Sequence, residues 1–190
     1  HAPAGKYGRV IAVDGRLEFE NMPGVKQRFY GNNLCFSANY VSAEEAKTIA
    51  GRFRRIGYNT VRLHHHDNTL VEGDPNKTQL NAGRIDQLDR LVSAFIENGV
   101  YVTTDMFVSR SIPWRTIGID RDGDIPMGIF KLLCAMEPRA MENWKDFTRN
   151  FMLHRNPYTG RTYAEEPGFA WISFINEGNL GNASEVHKDI

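Results

Sequence analysis

An α/β fold is what these 190 residues predict: the first four strand–helix units of a (β/α)8, or TIM, barrel, preceded by a short β-hairpin. Three observations carry that expectation. Strand-like and helix-like segments alternate and are joined by short turns, which calls for a parallel sheet covered on its faces. No glycine-rich phosphate turn follows the first strand, which runs into Ser37-Ala38-Asn39-Tyr40, so an open dinucleotide-binding sheet is disfavoured. Polar residues gather where later strands end, namely Arg62 with His64 to Asp67, then Asp105, then Asn176 with Glu177. Barrels build their active sites at that C-terminal face, from the ends of several strands.

Residues 1–27 form the hairpin segment and 28–190 the barrel segment. Val10 to Val13 and Leu17 to Phe19 flank Asp14-Gly15, a hairpin turn signal. The expected place of this hairpin is over the bottom of the barrel. Arg28 to Phe36 reads as strand one. Ser42 and Glu45 have the spacing of a capping box, and Ala46, Ile49, Ala50, Phe53 and Ile56 follow a helical stripe that Gly57 ends. Tyr58 to His65 is strand two. After Gly73-Asp74-Pro75, a helix carries Ile85, Leu88, Leu91, Val92, Phe95 and Ile96 on one face and stops at Gly99. Val100 to Phe107 is strand three, and a long connection with Trp114 and Asp122-Gly123-Asp124 reaches about residue 137. A helix with Met141, Trp144, Phe147, Phe151 and Met152 follows. Asn156 to Gly160 turns the chain, Phe169 to Asn176 is strand four, and Ser184 is placed to cap a further helix.

Composition narrows the partners. Lys+Arg and Asp+Glu are both 23, so the formal net charge is zero and neither nucleic acid nor an anionic membrane is favoured. No apolar run approaches the roughly 20 residues that span a bilayer. The start, His1-Ala2-Pro3-Ala4-Gly5, lacks an initiator Met and a signal-like segment. Either a leader has been removed, which fits a secreted or periplasmic protein, or the chain begins within a longer one. Cys35 and Cys134 are expected to be free thiols. No cofactor is called for.

Glu177 is the first candidate for chemistry. It follows an apolar strand, where a carboxyl group loses part of its hydration, the condition under which a carboxylic acid can serve as a proton donor. Phe169-Ala170-Trp171-Ile172-Ser173-Phe174-Ile175-Asn176-Glu177 resembles the fourth-strand Asn-Glu signature of clan A glycoside hydrolases, especially the cellulase-like family 5 group. Asn156-Pro157-Tyr158-Thr159-Gly160 with Glu166-Pro167 is similar to a lead-in found in some of these enzymes. Asn59-Thr60-Val61-Arg62-Leu63 resembles their second strand, and Arg28-Phe29-Tyr30-Gly31-Asn32-Asn33-Leu34 their first. The resemblance runs in order over about residues 28 to 180. It implies a retaining hydrolase of a β-linked polysaccharide or oligosaccharide, with Glu177 as general acid/base. It also implies that Asn176 bonds the sugar 2-hydroxyl and that Arg62 lies beneath the nucleophile. An ion pair inside the barrel is the other reading of Arg62.

His64-His65-His66-Asp67 offers three readings. His64 and His66 would share a strand face, as in the H-x-H pair of metal-dependent barrel hydrolases. Alternatively at least one of the three histidines touches sugar, His64 and His65 first among them, which is the favoured reading, with no metal; plain packing at the rim is the third. Asp105 is expected to touch a sugar hydroxyl, orient a neighbouring His, or pair inside the rim. Trp114, in the third loop, is expected to stack on a pyranose ring, whereas Trp144 and Trp171 read as core. A retaining enzyme needs a second carboxylate about 5 Å from the acid, and no seventh strand lies within the sequence to supply it. The expected partners are therefore a carbohydrate and either the missing half-barrel or a second copy joined through open sheet edges. The alternatives are a metal-dependent hydrolase using His64 and His66, and a non-catalytic carbohydrate-binding fragment.

Overall fold

The structure, a computed structural model, describes residues 2–179. The segment around Ser184 lies outside the described residues. Strand β1 (Val10–Val13) pairs antiparallel with β2 (Arg16–Phe19) across Asp14-Gly15, and β3 (Met22–Gln27) adds a third strand. Pro23 and Gly24 hide β3 from local propensity, and both are tolerated because β3 is an edge strand. Phe19 is buried and stacks on Tyr101 at 5.1 Å, so the meander sits against the N-terminal end of the main sheet.

That sheet begins with β4 (Gly31–Cys35). Helix α1 (Ala43–Ile56) then starts at the capping box: the Ser42 hydroxyl accepts from the Glu45 amide and the Glu45 carboxylate accepts from the Ser42 amide. It stops at Gly57, whose φ of 93° is a left-handed C-cap that glycine adopts without steric cost. Strand β5 (Thr60–His64) leads into one short turn of helix, α2 (Asp67–Leu70), and then α3 (Ala82–Glu97), capped by Asn81. Strand β6 (Tyr101–Asp105) lies parallel to β5.

The connection that follows is more structured than its sequence indicates. A two-stranded ribbon of β7 (Ile112–Pro113) and β8 (Asp124–Ile125) precedes α4 (Met127–Met136). Pro126 and Gly128 at the start of α4 obscure it, although a proline at a helix start costs little. Phe107, Ile112, Trp114, Ile117, Ile125, Phe130, Cys134 and Ala140 form a second apolar cluster. Helix α5 (Pro138–Met152) and a small hairpin of β9 (Arg155–Asn156) and β10 (Arg161–Thr162) bring the chain to β11 (Phe169–Ser173). Both cysteines are free thiols.

The main sheet is parallel in the order β11-β6-β5-β4. Each strand is therefore laid beside its predecessor, as in the first four units of a (β/α)8 barrel. Its helix-facing side holds Val61, Leu63 and Val102, all fully buried with Leu88, Leu91, Val92 and Phe95 of α3. Each such side chain stabilises the fold by about 1.5–3 kcal/mol. Trp171 departs from its expected core position. It shares the opposite sheet face with Thr103 and is 44% exposed, with Phe29 edge-on at 5.2 Å. Among the described residues that face is not packed by α3, whose buried side chains lie against Val61, Leu63 and Val102, so an apolar residue there is buried only as far as its neighbours reach. Trp144 is half-buried between the two apolar clusters, and its indole donates to the Phe174 carbonyl. Among the described residues no helix is long and apolar enough to cross a membrane.

Candidate active site

Alternation along β5 turns Val61 and Leu63 toward the helices and leaves Arg62 and His64 on the other face. Register sets Arg62 beside Thr103, which places Asp105 on that same face at the end of β6. The result is a compact polar cluster. Asp105 is fully buried and accepts from Arg62 Nε at 3.1 Å and Nη2 at 2.7 Å. His64 Nδ1 lies 3.0 Å from the same carboxylate. Arg62 Nη2 reaches on to Asn176 Oδ1 at 2.8 Å, so one guanidinium ties the ends of three strands together. Burial alone would push the Asp105 carboxyl up; the bonds from Arg62 and His64 outweigh it and hold the group below the ordinary carboxylate range.

Both carboxylate oxygens of Asp105 are engaged and no part of it faces solvent, so it is the residue that orients Arg62 and His64 and does not reach a sugar hydroxyl. A carboxylate only accepts, so His64 must donate from Nδ1. Its Nε2 is then a bare acceptor whenever the ring is neutral. Long-range proton–nitrogen spectra of His64 are expected to show the hydrogen on Nδ1, the less common tautomer of a free imidazole. A hydrogen on Nε2 in the neutral ring would contradict this arrangement.

The metal reading of the histidine run is overturned by the backbone. Strand β5 ends at His64, and His65 adopts φ 50°, which turns the chain before His66. His66 is consequently fully buried on the helix side, 5.4 Å from the Phe151 ring centre and 3.4 Å from Thr104 Oγ1. His64 and His66 share no face and cannot act as an H-x-H pair. Asp67 is also committed: its carboxylate accepts from the amides of Val108, Ser109 and Arg110 and so anchors the third loop. His65 is half-buried beside His64.

Glu177 lies four residues beyond the end of β11, in a turn with φ 52°. The Asn176 amide donates to the Phe107 carbonyl at 2.9 Å, which holds this turn against the end of β6. The expected desolvated setting is not what surrounds Glu177. Its side chain is 64% exposed, and the Lys131 ammonium lies 3.6 Å from its carboxylate. Because the strand stops at Ser173, the chain has already turned outward when it reaches Glu177. Lys131 comes from α4, a helix that local pattern concealed, and its side chain is only 7% exposed. Trp114 differs from expectation too. It is buried in the second apolar cluster with the Arg121 guanidinium 4.9 Å from its ring centre, so it has no free face for a sugar.

The fold and site together define an α/β protein with the first four units of a (β/α)8 barrel and a buried charge cluster at the C-terminal ends of its strands. No family model matches the chain, and no curated protein matches it. Solved structures do. The chain is similar to a glycoside hydrolase family 5 mannosidase from Rhizomucor miehei, at 16% identity and a TM-score of 0.68, over 96% of this chain and 52% of that one. It is also similar to an endo-1,4-beta-mannanase from the same organism, at 12% identity and a TM-score of 0.62, over 89% and 48% of the two chains. A third likeness is to the endo-beta-1,4-mannanase from Thermotoga petrophila, at 17% identity and a TM-score of 0.57, over 87% and 40%. At these identities the likeness establishes the fold, and the chain spans about half the length of these structures.

Proposed function

We propose that the chain is the acid/base-bearing half of a retaining glycoside hydrolase of the family 5 kind. The observation that carries this reading is the join between Asn176-Glu177 and the Arg62–Asp105 cluster, at the face where barrels do their chemistry. Glu177 would protonate the glycosidic oxygen as the bond breaks. A second carboxylate about 5 Å away, outside residues 1–190, would attack the anomeric carbon, and Glu177 would then deprotonate the water that releases the sugar. With Oδ1 held by Arg62, the Asn176 amide presents Nδ2 as a donor for the sugar 2-hydroxyl. Arg62 is balanced by Asp105 and offers its remaining field to the incoming nucleophile.

The similar structures are named as mannanases and a mannosidase, so β-linked mannosides and manno-oligosaccharides are the substrates to try first. Secretion or a periplasmic location fits an enzyme of polysaccharides. The open edges of β4 and β11 would be covered by the other half of the barrel or by a second copy.

The test is the anomer released first. Full-length protein acting on an aryl β-mannoside or β-glucoside is expected to yield the β-hemiacetal before mutarotation, followed by proton NMR, while residues 1–190 alone give no turnover. An α-product would exclude double displacement. Carbohydrate binding without any turnover in the full-length protein would favour the binding-fragment reading.

A further inference from the structure

We propose that Phe36 and His65 form an aromatic platform on which a pyranose ring of the substrate stacks, beside the His64–Asp105 pair. The proposal rests on the glycosidase reading and adds a binding site to it. Phe36 is the first residue after β4 and His65 the first after β5. Their rings lie 4.5 Å apart and 18° from parallel. Both residues are non-glycine and left-handed, with φ of 54° and 50°. Such conformations are sparsely populated by residues with a Cβ and persist only where the surrounding structure enforces them, often at binding sites.

The enforcing contacts are visible. Asn39 is fully buried, and its side-chain amide donates to the carbonyls of Phe36 at 3.2 Å and His64 at 2.9 Å, clipping the two strand ends together. The Tyr40 hydroxyl donates to the His66 carbonyl on the other side of the same turn. His65 also meets the His64 ring edge-on at 4.3 Å, and His64 is bonded to Asp105, so the platform is continuous with the charge cluster. Burial and the neighbouring His64 push the His65 imidazole below its ordinary value.

Phe36 is 60% exposed while held in a left-handed backbone. An apolar ring presented to water, backed by a second flat ring, matches the C–H face of a pyranose.

The test uses full-length protein carrying Glu177→Gln, so that bound sugar is not consumed, with β-1,4-mannotetraose and cellotetraose as probes in titration calorimetry. Phe36→Gly removes the ring and relieves the left-handed backbone. It is expected to leave the melting temperature unchanged or higher while weakening the better tetraose roughly three- to tenfold, and Phe36→Trp is expected to restore affinity. This pairing of preserved stability with lost affinity is what a structural role would not give. Unchanged affinity in a folded Phe36→Gly protein overturns the platform, as does failure of both tetraoses to bind before Phe36 is altered. Hydrolysis by the unsubstituted protein, assayed separately, decides the glycosidase reading on its own. Loss of affinity without any hydrolysis would keep the platform as a carbohydrate site.

Discussion

Glu177→Gln in the full-length protein is expected to slow cleavage of glycosides with poor leaving groups by roughly 10²–10⁴, the usual worth of general acid catalysis. The amide keeps the shape of the carboxyl group and removes the proton that the departing oxygen needs. Substrates with activated aryl leaving groups need little protonation, so formation of their covalent intermediate should be slowed far less. The intermediate should then accumulate, because water has lost its general base in the second step. Added azide needs no base and should speed turnover, releasing a β-glycosyl azide. Steady-state and pre-steady-state rates over a series of leaving groups check each part. Equal slowing of good and poor leaving groups, with no rescue by azide, would remove Glu177 from the acid/base role.

Arg62→Ala is expected to destabilise the fold by about 3 kcal/mol at neutral pH, the lower end for a broken buried pair because the Arg62 side chain is 33% exposed and partly hydrated. Asp105 is fully buried and would lose both bonds from Arg62, keeping the one from His64. The acid limb of stability carries the sign. In the unsubstituted protein the Asp105 carboxyl is held below its ordinary value, so its contribution is present above the unfolded carboxylate value near 3.9 and is lost as pH falls through the lower folded value. Without Arg62, burial dominates and raises the folded value. That stabilising contribution is present at low pH and lost as pH rises through the folded value. The gap between the two proteins should therefore narrow between pH 7 and pH 4. Urea midpoints measured across that range test it, and a gap below about 1 kcal/mol that ignores pH would show that the pair is not structural.

Local signals proved sufficient where local forces decide. The Ser42–Glu45 box and Gly57 bound α1 because caps satisfy backbone groups within a few residues of themselves. The apolar stripe of α3 and the alternation of Thr60 to His64 report directly which side of each element is covered. The Arg62, Asp105 and Asn176 positions at strand ends were legible for the same reason: in a parallel sheet of consecutive units, residues at the ends of neighbouring strands become neighbours in space. What period and spacing do not contain is where a strand stops. One left-handed residue, His65, decides that His64 joins Asp105 while His66 enters the core, and nothing in a run of three histidines distinguishes them.

The sequence by itself therefore determined the order of the four main-sheet strands and of helices α1, α3 and α5, the caps of α1, and the set of polar residues delivered to one end of the sheet. These follow from hydrogen bonding and burial over a few residues at a time. Only the tertiary structure decided their use. It buried Trp114 in the second apolar cluster, among residues drawn from several elements, and it brought Lys131 to within 3.6 Å of Glu177 across 46 residues of chain. It left Glu177 exposed and raised Phe36 onto His65, two rings separated by an entire strand–helix unit. Contacts of that span arise from the packing of elements already formed, and no local period records them.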